Sequence, residues 1–130
     1  MAFYSQGAER FKPRKRTFYW AKYLRKSTEE DLSRSIRNQD VVLDGVMERM
    51  IAQDTENEYL FYATFQDEDY TGADSDRPQF QRLLRALASG KVNMLLVTDL
   101  SRLSRSISES MQYVQGLFVA LDIRFVSVQL

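Results

Sequence analysis

Arg25 and Ser27 stand two residues apart in "YLRKS", directly after the aromatic-rich stretch "TFYWAK". Further along, Arg102 and Arg105 stand three apart in "LSRLSRS", and Arg77 opens "RPQFQRLL" behind an acidic, glycine-containing stretch. Several guanidiniums around one hydroxyl describe a receptor for a phosphate, because arginine grips phosphate oxygens bidentately where lysine offers only a point charge. No imidazole is available to activate that serine. The chain contains no histidine and no cysteine, which excludes a Ser-His-Asp triad, a Cys-His pair and a histidine-cysteine zinc site. Fixed cations would have to stabilise the charge instead, and neither a metal nor another cofactor is expected. The bland alternative makes Arg102 and Arg105 surface partners of Asp99 and Glu109, and Ser27 a loop or cap residue.

The elements that carry these residues follow from periodicity. Residues 17–24 are β-branched and aromatic, which predicts a buried strand. Ile36, Leu43, Val46, Met47 and Met50 fall at helical spacing and predict a helix over about 33–52. "EYLFYATF" reads as a second strand, and "QDEDYTGADSDRP" as a polar loop. Pro78 suits the first turn of a helix with Phe80, Leu83, Leu84 and Leu87 inward, ended by Gly90. "KVNMLLVTDL" reads as a third strand, apolar on both faces. Ser106 and Glu109 form a capping box for a helix with Ile107, Met111, Val114, Leu117, Phe118 and Leu121 inward, and "IRFVSVQL" is a last strand.

This alternation predicts an α/β domain, a mainly parallel central sheet with helices on both faces. Ligands in such folds gather outside the carboxyl ends of the strands. Arg25 and Ser27 after the first strand, and Asp99 to Arg105 after the third, are therefore expected on one rim. Helical spacing points Arg102 and Arg105 the same way, with Arg77 within reach.

At 130 residues and 44% hydrophobic, the chain makes one domain with a single core. No apolar run approaches the roughly 20 residues that span a bilayer, so an intracellular, soluble protein is expected. Zero net charge argues against a free-standing nucleic-acid-binding module. The charges are nevertheless segregated: seven basic residues and no acidic one from Arg10 to Arg25, then eight acidic and no basic one from Asp54 to Asp76. Residues 1–16 read as a basic, disordered tail ahead of a domain over 17–130.

Taken together, "YLRKST", "SIRNQ", "YTGADSDRPQFQRLL", "GKVNMLLVTDLSRLSRS" and "IRFVSV" resemble the catalytic domain of serine site-specific recombinases, the resolvase/invertase family. Within it, the chain looks more like the large serine recombinases (phage integrases and conjugative-transposon recombinases) than the small resolvases. The resemblance runs from about Thr17 to Leu130 and implies a resolvase-like catalytic fold. It implies Ser27 as nucleophile, Arg25 as its phosphate-binding neighbour, Gln39 as a polar active-site residue, Arg77 as an arginine of the activated site, and Arg102 and Arg105 as the family's arginine pair. Lysine at position 102 or 105 is expected to lower cleavage steeply while stability hardly changes. One departure stands out: small resolvases usually carry aspartate where this chain has Ser101, so a carboxylate at that spot is not available to orient an arginine.

The same resemblance implies double-stranded DNA as the partner, a covalent 5′-phosphoserine link with a free 3′ hydroxyl, and self-association to dimer and tetramer. It implies no membrane association and a cytoplasmic, bacterial or phage-encoded protein. The family continues into a long helix and DNA-binding domains, so the chain reads as an isolated catalytic domain that is not competent alone. Two other classes are weighed against this. One is a recombinase-like domain that binds DNA or assembles without cleaving. The other is a flavodoxin-like module for a phosphorylated small ligand, disfavoured by the absence of a glycine-rich phosphate loop.

Overall fold

The aromatic run at the start of the domain forms strand β1 (Thr17–Ser27) in the computed structural model, which describes residues 15–27, 35–69 and 77–129. It is followed by helix α1 (Ile36–Gln53), β2 (Glu58–Asp69), α2 (Pro78–Ala88), β3 (Met94–Val97) and a 3₁₀ turn (Leu100–Arg102). Then come α3 (Ile107–Gln112), a π-helical turn (Tyr113–Leu117), α4 (Phe118–Ala120) and β4 (Arg124–Ser127). All four strands are parallel, in the order β2-β1-β3-β4. The order reverses direction between β1 and β3, and that switch point is where an open α/β sheet presents a crevice.

Period-2 alternation splits β1 between two cores. Phe18, Trp20 and Leu24 pack with Leu43 and Met47 of α1 on one face. Ala21 and Tyr23 pack with Phe80, Leu83 and Leu87 of α2, and with Phe118, on the other. β3 contributes to both, Met94 and Leu96 to the first and Leu95 and Val97 to the second. The ammonium of Lys22, buried on the α1 face, is held by Asp40 and Asp44, each at 2.6 Å.

β2 departs from simple alternation. Trp20 registers with Phe61, but Ala21 registers with Ala63, so Tyr62 is an extra residue and β2 bulges there. Side-chain parity flips across such a bulge. Tyr59 and Phe61 lie against Phe18 and Trp20 on the α1 face, whereas Phe65 and Asp67 join Tyr23 on the α2 face. The strand also runs four residues beyond "EYLFYATF", because Gln66–Asp69 pairs with Leu24–Ser27. The polar stretch expected to be loop from Gln66 onward is therefore strand at its start; residues 70–76 lie outside the described residues.

The helix boundaries have local causes. Ser35 caps α1, its hydroxyl accepting from the Asn38 N–H. Gly90, at φ +82°, closes α2 as the left-handed residue of a Schellman motif, with Lys91 N–H on Ala86 O and Gly90 N–H on Leu87 O. Ser106 caps α3 by accepting from the Glu109 N–H. The expected inward face of this last helix needs correction, because the π turn inserts a residue and shifts the phase. Phe118 is buried and Val114 and Leu121 pack against the core as expected, yet Leu117 is exposed; ahead of the turn, Ile107 at the first position of α3 is 73% exposed while Ser110 is buried.

The expected N-terminal tail lies outside the described residues through residue 14. Arg16, counted in that tail, is docked: its N–H donates to Asn57 Oδ1 at 3.1 Å and its guanidinium to Asp122 at 3.1 Å. Among the described residues, no helix is long and apolar enough to cross a membrane.

Candidate active site

The carboxyl ends of β1 and β3 are neighbours, and three arginines lock them together. Arg25, 1% exposed near the end of β1, donates from Nε to the Arg102 carbonyl at 3.3 Å and from Nη2 to the Ser101 carbonyl. Arg102, fully buried in the 3₁₀ turn, returns the bond from Nη1 to the Arg25 carbonyl at 2.5 Å. Arg77, the residue before α2, is also buried and donates from Nη1 to the Arg102 carbonyl at 3.1 Å, its guanidinium lying 4.1 Å from the Phe80 ring centroid. Each arginine is thus braced against backbone carbonyls rather than swinging in solvent. Ser27 closes β1 two residues beyond Arg25, its backbone in register with Asp69.

Gln39 is buried near the start of α1. Its side-chain amide clasps the Arg25 backbone from both sides, Oε1 accepting from the N–H at 3.3 Å and Nε2 donating to the carbonyl at 2.9 Å. It acts there like one residue of an additional strand. Beside it a cavity of about 270 Å³ opens between α1 and the ends of β3 and β4, lined by Asn38, Gln39, Thr98, Asp99, Arg102 and Gln129.

Arg102 and Arg105 differ in burial despite their three-residue spacing. The 3₁₀ turn stops at Arg102, and the chain bends before Ser106 starts α3, which leaves Arg105 exposed while Arg102 is enclosed. Ser110 of α3 seats the turn by donating to the Leu100 and Ser104 carbonyls at 2.9 and 3.1 Å. Because Arg102 is buried and bonded at both ends, lysine at position 102 is now expected to cost stability, unlike the expectation drawn from the sequence. Among the described residues, no group of three or more His, Cys, Asp or Glu is placed to hold a metal ion.

Residues 20–130 match the family described as "Resolvase, N terminal domain". The chain belongs to the resolvase family. Its fold is found in the N-terminal catalytic domain of TP901-1 integrase, at 28% identity and a TM-score of 0.65, over 88% of this chain and 77% of that one. A resolvase family site-specific recombinase from Streptococcus pneumoniae matches at 26% identity and a TM-score of 0.55, over 85% of this chain and 72% of that one. The C-terminal catalytic domain of ISC1926 TnpA, an IS607-like serine recombinase, shares the fold at 18% identity and a TM-score of 0.65, over 87% and 69% of the two chains. No curated protein sequence matches the chain. The four-stranded parallel sheet is thus a resolvase-type catalytic domain of the serine recombinases, with an integrase domain among its neighbours.

Two residues of this resolvase domain were not picked out by sequence reasoning. Asp67, buried on β2, accepts from the Gln79 and Phe80 N–H groups at 3.0 Å each and from the Tyr23 hydroxyl at 2.8 Å. It caps α2 from another element, since the N-cap residue Arg77 supplies no side-chain acceptor. Burial, with Asp67 alongside, pushes the Tyr23 hydroxyl well above the usual phenol range, so it stays a donor. Tyr23 and Asp67 together anchor the start of α2, and with it Arg77. The available signal was a proline-started helix preceded by arginine, which lacks its own cap and needs an acceptor from elsewhere.

Proposed function

We propose that this domain cleaves and rejoins double-stranded DNA through a covalent bond between Ser27 and a 5′ phosphate. The observation that carries the reading is the interlocking of Arg25 with Arg102 at the β1/β3 switch point of a resolvase-family domain, two residues from Ser27. Ser27 Oγ attacks phosphorus and loses its proton; the bond from phosphorus to the 3′ oxygen breaks, and that oxygen gains a proton to leave as a 3′ hydroxyl. Reversal of the step with a new 3′ hydroxyl rejoins the strand and frees the serine.

The arginines supply the electrostatics. Buried guanidiniums act at low effective dielectric and are already oriented, so their charge stabilises the phosphate's developing negative charge with little reorganisation. Arg25, Arg77 and Arg102 provide that fixed field, while exposed Arg105 contacts the approaching DNA. Gln39 keeps the end of β1 straight so that positions 25 and 27 remain in register. Dimer and tetramer assembly in the complete protein belongs to the same reading.

The polarity of attachment is the test. The complete protein, as its gene encodes it, is incubated with duplexes from around its own gene and with a random-sequence duplex pool. A boil-resistant protein-DNA adduct should form, with protein on the 5′ end and a 3′ hydroxyl that DNA polymerase extends. Absence of any adduct, or attachment to a 3′ end, would overturn the proposal.

A further inference from the structure

Asp99 occupies a singular place on this rim. It is the N-cap of the 3₁₀ turn Leu100–Arg102, with its side chain accepting from the Ser101 N–H at 3.1 Å. The same oxygen, Oδ1, accepts from the Ser101 hydroxyl. The second oxygen, Oδ2, accepts from Arg102 Nε at 3.2 Å and from Thr98 Oγ1 at 3.2 Å. One carboxylate therefore holds both the Arg102 guanidinium and the turn whose carbonyls receive Arg25 and Arg77. Its side chain is 19% exposed, at the wall of the 270 Å³ cavity.

We infer that Asp99 is the positioning residue of the catalytic rim, fixing the orientation of Arg102 and, through the 3₁₀ turn, the anchor points of Arg25 and Arg77. Ser101 is its relay and not a proton-transfer group: its hydroxyl proton is directed into Asp99, and its carbonyl faces Arg25. A carboxylate carried by position 101 would reach the region that Asp99 now fills, because the two side chains already touch. The charge persists at neutral pH. Burial pushes the Asp99 carboxyl up, but hydrogen bonds from Ser101 and the positive charge of Arg102 outweigh it and hold the group below its ordinary value. Displacing a preorganised guanidinium by about 1 Å costs a reaction on the order of 100-fold.

The inference rests on the proposed cleavage reaction for its kinetic arm but has a structural arm of its own. In this 130-residue chain, ¹⁵N NMR of the arginine Nε–H groups should show Arg102 as slowly exchanging and shifted. Asp99→Ala and the near-isosteric Asp99→Asn should abolish that protection, and the exchange variant Asp99→Ser with Ser101→Asp should restore it. In the complete protein, adduct formation should fall about 100-fold in Asp99→Asn and recover at least tenfold in the exchange variant, with non-covalent DNA binding unchanged. Unchanged Arg102 protection in both single variants would overturn the inference, and so would an exchange variant that folds yet is no faster than Asp99→Asn. Should the wild type form no adduct with any duplex, the cleavage reading fails, and the NMR arm alone decides the role of Asp99.

Discussion

Replacing Arg102 by lysine separates a buried brace from ordinary surface charge. The guanidinium spans two acceptors, Asp99 Oδ2 from Nε and the Arg25 carbonyl from Nη1, in a side chain with no solvent exposure. A lysine ammonium keeps the charge, but its three donors radiate from one compact nitrogen that cannot span the same fork. The Arg25 carbonyl would still be bonded by Gln39 Nε2. The loss is then about one charge-assisted hydrogen bond, on the order of 1.5–3 kcal/mol for a buried site. Urea denaturation should show a lower midpoint at unchanged slope. Arg105→Lys, at an exposed position, should stay within about 0.5 kcal/mol of wild type. If the two variants are equally stable within that margin, the interlocked rim is not how the ends of β1 and β3 are joined.

Asp67→Asn should destabilise the domain by about 2–3 kcal/mol in the same assay, because in either orientation the amide donor would face an α2 N–H, that of Gln79 or that of Phe80, in a buried site; a smaller loss than Tyr23→Phe would contradict the capping role. The Asp54 carboxyl, held down to about 2 chiefly by the Tyr59 hydroxyl and then by Asn57 and the Glu56 N–H, contributes stability that is present above the unfolded carboxylate range and lost as pH falls toward 2. Asp54→Asn should therefore flatten the stability profile between about pH 4 and 2, and an unaltered profile would refute the assignment. Cleavage by the complete protein should survive excess EDTA, since the rim's cations are arginines; loss of cleavage with DNA binding retained would show a metal requirement.

The parallel sheet and its helices were legible because each signal was local: helical spacing over α1, Pro78 and Gly90 bracketing α2, Ser106 opening α3. The shared rim followed from chain order alone, since parallel strands joined by crossovers place their carboxyl ends on one side. What escaped reading depended on pairing between distant segments. "YLFYATF" is apolar at nearly every position, so nothing in it marks Tyr62 as the residue β1 leaves unmatched, and the resulting flip is what delivers Asp67 to Tyr23. Gln66–Asp69 looks like solvated loop until β1 is there to pair with it. Arg102 and Arg105 share a spacing that a continuous helix would align, but the turn seated by Ser110 ends between them. Burial of arginine is likewise invisible in sequence, because it depends on carbonyls that only the folded rim presents.

Peptide mapping of the trapped DNA adduct tests the central claim most directly. A nicked duplex that releases the downstream strand should accumulate the covalent intermediate in the complete protein, and protease digestion with mass spectrometry should locate the nucleotide on the peptide containing Ser27. Ser27→Ala should form no adduct while keeping wild-type secondary structure and DNA binding. An adduct on Ser101, Ser104 or Ser106, or one that persists in Ser27→Ala, would contradict the account and leave the arginine rim without its nucleophile.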